Sequence, residues 1–148
     1  AELVRVRIDG ATDLGGLQLG LDLAGHFNLV IGDWQDPDLF GSQPDWEITL
    51  IESEVIEVFN QRGGHRFHES DFRRNLVTRD IRLNDLVGKE FQIGAVRFYG
   101  VQLCEPCAKL QRRLGVKILP DLINQGGLRA QIRNNGVISA GEKISVSD

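Results

Sequence analysis

The chain has 148 residues, 26% of them charged, and a formal net charge of −4, which fits one globular domain with a core large enough to need no disulfide framework. No apolar run approaches the roughly 20 residues of a membrane-spanning helix, so no membrane role is expected. The charge is divided: residues 1–60 carry two basic and twelve acidic side chains, net −10, and residues 61–148 carry fifteen basic and nine acidic, net +6. That surplus points to a small anionic ligand for the second part and is too modest for a nucleic-acid partner.

Glu2 to Ile8 alternates Leu3, Val4, Val6 and Ile8 with charged residues and reads as a half-buried strand. Between Asp9 and Gly25, glycines mix with Leu17, Leu19, Leu21 and Leu23 at a spacing of two, the pattern of a second strand with a bulge or ragged loop. Phe27 to Ile31 is a short apolar strand, and residues 32–45, rich in Asp, Pro and Gly, read as a loop. Trp46 to Ile51 is again extended. Glu52 to Phe59 places Val55, Ile56 and Phe59 on one side of a short helix, with Glu52 and Glu54 in its first turn complementing the dipole. Residues 61–69 form a polar loop with His65 and His68.

Phe72 to Thr78 reads as a strand edge, on which Arg73 and Asn75 would face one way and Arg74 the other. Residues 81–87 carry a turn at Asn84-Asp85, and short strands are expected at 88–93, 96–103, 128–132 and 144–146. Ala108 to Leu114, with Leu110 and Leu114 four apart, has the pattern of a second short helix. Many short strands, frequent glycines and two short helices indicate a mainly β barrel or sandwich, with no linker that would divide the chain.

Both cysteines lie in Cys104-Glu105-Pro106-Cys107, between the strand at 96–103 and the helix at 108–114. Pro106 suits a first helical position, and a first-turn Cys107 would have its thiol pKa lowered by unpaired backbone N–H groups and the helix dipole. The thiolate is both the nucleophilic and the metal-binding form. Several other readings remain open. A buried, inert cysteine is the ordinary fate of this residue. A thioredoxin-like dithiol redox centre shares the C-x-x-C spacing, but the glycine-punctuated β structure after Cys107 lacks the required strand-helix alternation. Zinc would need a second ligand pair, for which His65 and His68 are the candidates. Arg73 has the fork geometry to hold a phosphate, with Asn75 beside it; the competing reading ties these arginines to Asp71 or Asp80. Gly126-Gly127-Leu128-Arg129 lacks the lysine and hydroxyl of a phosphate loop and reads as a turn.

The ordered set Ile48 to Glu54, Asp71 to Thr78, Leu83 to Gly94, Leu103 to Leu110, Gly127 to Ala130 and Gly136 to Ile144 resembles the MOSC domain, named after the C-terminal part of molybdenum cofactor sulfurases. The match is clearest over residues 46–146 of a single domain. The resemblance implies a MOSC-type β-barrel with a few short helices. It also implies a characteristic cysteine at Cys107 and not Cys104, and an Arg-x-Asn segment for the pterin phosphate at Arg73 and Asn75. In one branch of the family that cysteine ligates molybdenum in a reductase of N-hydroxylated compounds served by an electron-transfer partner. In the other it carries persulfide sulfur received from a pyridoxal phosphate-dependent cysteine desulfurase. The resemblance leaves both open, and whether the chain is an enzyme with them.

On this reading the molybdenum cofactor is the expected ligand, Cys107 the reactive residue and metal ligand, and Arg73, Arg74 and Asn75 the cofactor-binding residues, with Arg112 and Arg129 adding positive potential. The chain departs from the family at Gly32-Asp33-Trp34-Gln35 and Trp46-Glu47, where basic residues commonly stand, which weakens the expected grip on the cofactor. The competing class is a non-catalytic binding module whose acidic first half docks a partner and whose cysteines are structural or bind zinc. With no Met, a start at Ala1 and no leader visible, a trimmed native start and a reducing, cytoplasmic setting are the expectation.

Overall fold

The structure, a computed structural model, describes residues 1–6, 17–21, 27–31, 47–72, 74–104, 108–118, 121–134 and 136–146. In chain order these form β1 (Glu2–Val6), β2 (Leu17–Leu21), β3 (Phe27–Ile31), β4 (Glu47–Glu52), α1 (Ser53–Gly63), β5 (Leu76–Arg79), β6 (Glu90–Ile93), β7 (Val96–Leu103), α2 (Ala108–Leu114), β8 (Leu128–Ile132), β9 (Gly136–Ser139) and β10 (Ile144–Val146). Two single-turn 3-10 helices, Glu69–Phe72 and Leu83–Leu86, complete the described elements.

Seven strands make one sheet in the order β1-β5-β4-β8-β7-β6-β10, and β2-β3-β9 make a second. The large sheet curls until its edges meet. Glu2 bridges Lys143, the Leu3 N–H donates to the Glu142 carbonyl at 2.8 Å, and the Ile144 N–H donates to the Ala1 carbonyl at 3.0 Å. Closure satisfies backbone groups that an open edge would leave exposed to pairing with other chains. The fold is therefore the mainly β barrel expected from the sequence.

Strand alternation sorts the apolar residues into two cores. Ile48, Leu50, Leu76, Phe91, Ile93, Val96, Phe98, Leu128, Ala130 and Ile132 fill the barrel, joined by Leu3 and by Ile138 of the smaller sheet. The intervening Ile51 and Val77 point outward and pack with Val55, Ile56 and Phe59 of α1, Phe72, and Leu110 and Leu114 of α2. Both helices thus cover one side of the barrel wall. Such burial is worth about 1.5–3 kcal/mol per large apolar side chain.

One expectation needs correction. The strand anticipated over 72–78 begins only at Leu76, because Glu69–Phe72 closes a 3-10 turn that buries Phe72 in the outer core. The turn expected at Asn84-Asp85 is present as the 3-10 turn Leu83–Leu86, whose Leu83 and Leu86 enter the barrel core. Leu86 also explains Gly100: a Cβ there would collide with the Leu86 carbonyl, and the Gly100 N–H and carbonyl bond to Lys89 and Gly88 at 2.9 and 2.8 Å.

Candidate functional site

The registers of four strands place the candidate segments on one wall, with Arg74 and Asn75 on the Thr49 side of a shared row and Gly127 and Cys104 on its Ile51 side. Leu103 of β7 pairs with Leu128 of β8, Leu128 with Leu50 of β4, and Leu50 with Leu76 of β5. Four leucines therefore run in one row across the wall, and all four pack in or against the barrel core. Arg74 and Asn75 lie just before Leu76, Gly126 and Gly127 just before Leu128, and Cys104 just after Leu103.

Hydrogen bonds knit these flanks into a corner. The Cys104 N–H donates to the Gly127 carbonyl at 2.8 Å. Arg74 Nε donates to the neighbouring Gly126 carbonyl at 2.9 Å. Gly127 has a φ of +112°, and a Cβ on it would collide with the Leu50 carbonyl and sit 3.5 Å from Arg74 Nε. Only glycine allows this approach of three chain segments.

Asn75 is fixed from β4. Its Oδ1 accepts from the Thr49 N–H at 3.0 Å and from the Thr49 hydroxyl at 3.1 Å, while its own N–H donates to Thr49 Oγ1 at 3.1 Å. Because residues 74 and 75 precede the strand, this clamp orients them rather than the alternation of β5. Arg74 meets a backbone carbonyl rather than Asp71 or Asp80. The Asp71 carboxylate is engaged elsewhere, its Oδ2 accepting from the His68 N–H at 2.9 Å. Arg112 and Arg129 are exposed.

The two other residues on which the sequence reading rests, Arg73 and Cys107, lie outside the described residues. Cys104 is buried, 8% exposed, at the end of β7. Among the described residues no three His, Cys, Asp or Glu side chains group as a metal site. His65 packs its ring 5.3 Å from Phe59 and 5.2 Å from Phe67, within an aromatic cluster.

Glu52 and Glu54 stand at the junction of β4 and α1, and the groove they line contains none of the residues of this corner. Glu52 is not in the first helical turn but at the N-cap position with an extended backbone, and Glu54 takes the first turn. Burial pushes the Glu52 carboxyl above its ordinary range, and the Leu83 N–H at 3.3 Å and Arg82 at 3.6 Å pull it back only in part. Burial also pushes Glu54 upward, but the Asp80 N–H, its own N–H, the Ser53 hydroxyl and Arg79 together outweigh that and leave it below its ordinary value. A groove of about 210 Å³ opens here, lined by Glu52, Val55, Arg82, Asp121 and Gln125 among others.

The family profile of the MOSC domain matches residues 36–145. The chain belongs to the MOSC domain family. Solved structures agree on the fold. YiiM from Geobacillus stearothermophilus is 22% identical with a TM-score of 0.63, covering 73% of this chain and 57% of its own. YiiM from Escherichia coli is 19% identical with a TM-score of 0.58, covering 68% of this chain and 54% of its own. The YUAD protein from Bacillus subtilis is 13% identical with a TM-score of 0.61, covering 98% of this chain and 83% of its own. The aligned region thus spans only somewhat more than half of either YiiM protein. No curated protein matches the sequence significantly.

Membership places the domain in a family associated with the molybdenum cofactor. No helix among the described residues is long and apolar enough to cross a membrane. Sequence reasoning missed Thr49 and the close approach of Gly127. The signal for Thr49 was a hydroxyl in the outward register of an otherwise apolar strand. The signal for Gly127 was the Gly126-Gly127 pair, read only as a turn.

Proposed function

We propose that this MOSC domain handles the molybdenum cofactor, with Cys107 as the reactive sulfur and the Arg73–Asn75 segment as the anchor for the pterin phosphate. The observation that supports this reading is the pair of hydrogen bonds that tie Arg74 to Gly126 and Cys104 to Gly127, so that the guanidinium reaches the turn that also holds the end of β7. Cys107 follows Cys104 by three residues.

The described residues fit such a group in kind. Arg74 brings a guanidinium to this corner, held by the Gly126 carbonyl through Nε, and guanidinium is the side-chain group best matched to phosphate. Asn75, whose carboxamide oxygen is committed to Thr49, would act toward a phosphate as a donor. A thiolate at Cys107 is the soft ligand that sulfur-rich metal centres favour. When bound, the cofactor supplies the redox chemistry of its metal. The chain's own residues hold and orient it, and Cys107 either ligates the metal or bears the sulfur in transit. As an enzyme the domain would act on N-hydroxylated compounds with electrons from a partner, and as a carrier it would receive sulfur from a cysteine desulfurase.

The test is elemental and persulfide analysis of protein purified from a molybdenum-replete host with cysteine desulfurase present. The expected result is molybdenum or labile sulfur near one per chain, abolished by Cys107→Ser and largely kept by Cys104→Ser, since Cys104 is buried. Equal losses in the two variants, or stoichiometric zinc in place of molybdenum and sulfur, overturn the assignment.

A further inference from the structure

The helix α2 starts at Ala108, one residue after Cys107, and its two faces differ sharply. Leu110 and Leu114 are buried in the outer core. Lys109, Arg112 and Arg113, spaced three and four apart on the opposite face, are all exposed, and Lys117 is exposed just beyond the helix. Residues 108–118 contain no acidic side chain. Among the described residues, none of these four cations forms a salt bridge, whereas Arg62, Arg79 and Arg82 near α1 pair with Asp121, Glu57 and Glu52.

Such an arrangement disfavours the isolated helix. Like charges three and four apart each cost about 0.2–0.5 kcal/mol, and a cation in the first turn opposes the dipole. The dipole accounts for Arg112 and Arg113 in the last turn but not for Lys109. Beyond Leu114, Gly115 takes a φ of +70° and ends the helix, its N–H donating to the Gln111 carbonyl at 2.9 Å. A shallow depression opens there, lined by Gln111, Arg112, Gly115, Val116 and Lys117. A Cβ on Gly115 would meet nothing within 4 Å, so the depression is open to an incoming chain.

We infer that this face of α2 is the docking surface for an acidic segment of a partner protein. The inference rests on the function proposed above for its purpose, but not for its chemistry. Complementary charge explains why cations that weaken the free helix cluster here, since they speed encounter and fix orientation. Four cations on and just beyond one short helix are too few for the extended basic surface a nucleic acid asks for, and a short acidic segment is the anion that matches a single helix face.

The experiment titrates decaglutamate into the isotope-labelled chain and follows backbone amide shifts. The expected shifts are confined to residues 108–118 and fade as salt rises toward roughly 0.5 M. Affinity should fall roughly tenfold or more in the Lys109→Glu, Arg112→Glu, Arg113→Glu variant, and by an intermediate factor in the corresponding triple Gln variant, which keeps the helix without reversed charge. Three results overturn the inference. These are shifts centred on other basic residues such as Lys89, Arg97 or Lys143, equal binding by wild type and both variants, and tighter binding of duplex DNA or phosphatidylserine vesicles at residues 108–118. The titration needs neither molybdenum nor sulfur, so its failure leaves the Cys107 assignment standing, and failure of that assignment leaves the titration interpretable.

Discussion

Replacing Thr49 by Val tests whether the clamp on Asn75 organises this corner. The substitution keeps the β-branched shape and removes only the hydroxyl. Two of the three bonds to Asn75 are lost, those made by Thr49 Oγ1 at 3.1 Å, while the Thr49 N–H to Asn75 Oδ1 bond at 3.0 Å remains. A net hydrogen bond contributes about 0.5–1.5 kcal/mol, and the site is only partly buried, so water recovers part of the loss and about 1–2 kcal/mol is expected. At 2–4 °C per kcal/mol for a chain of about this size, the melting temperature should fall by about 2–8 °C. Thr49→Ser, which keeps the hydroxyl, should lose less. Hydrogen exchange should locate the effect: the Asn75 amide loses its acceptor and exchanges faster in the Val variant, while amides of β6 and β10 are unchanged. If Thr49→Val melts with wild type and protects the Asn75 amide equally, the clamp does not organise the site. The same variant should retain less molybdenum, and full retention would show that Asn75 is not placed for a cofactor.

Gly127→Ala should destabilise the domain by about 3 kcal/mol or more, from backbone strain at a φ of +112° together with the collision with the Leu50 carbonyl, and urea unfolding would check it. A midpoint close to that of wild type would mean that the turn relaxes freely. Glu52 and Glu54 give opposite pH responses. The raised Glu52 pKa favours folding below the unfolded value, and that contribution disappears as pH rises through the folded pKa. The lowered Glu54 pKa stabilises above the unfolded value and is lost as pH falls through the folded pKa. Glu52→Gln should therefore change stability at neutral pH by no more than about 1 kcal/mol, since it removes a desolvation cost along with a weak pair to half-exposed Arg82. Relative to wild type it should lose ground as pH falls through the folded pKa, with the deficit complete below the unfolded value of about 4.3. Glu54→Gln should be destabilising at neutral pH and approach wild type in acid. Thermal melts across pH decide both, and parallel curves for the two variants would contradict the assigned environments.

Local pattern determined most of the secondary structure. The strands at 27–31, 96–103, 128–132 and 144–146 and the helix at 108–114 follow from alternation and four-residue spacing, because side-chain periodicity is a property of the chain itself. The resemblance in the ordered motifs identified the family. Where the sequence misled, a distant contact had overridden local preference. Phe72 reads as part of a strand, yet burial under α1 and α2 makes a 3-10 turn the better place for it. Glu52 reads as an ordinary first-turn acid, yet burial at the end of β4 raises its pKa and the Leu83 N–H offsets that only in part.

The barrel's closure, the leucine row and the Thr49–Asn75 clamp were decided only in three dimensions. Register between strands depends on which residues far apart in sequence fill one core, and the sequence alone supplies no distance between Leu50, Leu76, Leu103 and Leu128. Gly127 shows the division most clearly: the chain supplies a residue without a Cβ, and only the approach of the Leu50 carbonyl and a φ of +112° make that absence necessary.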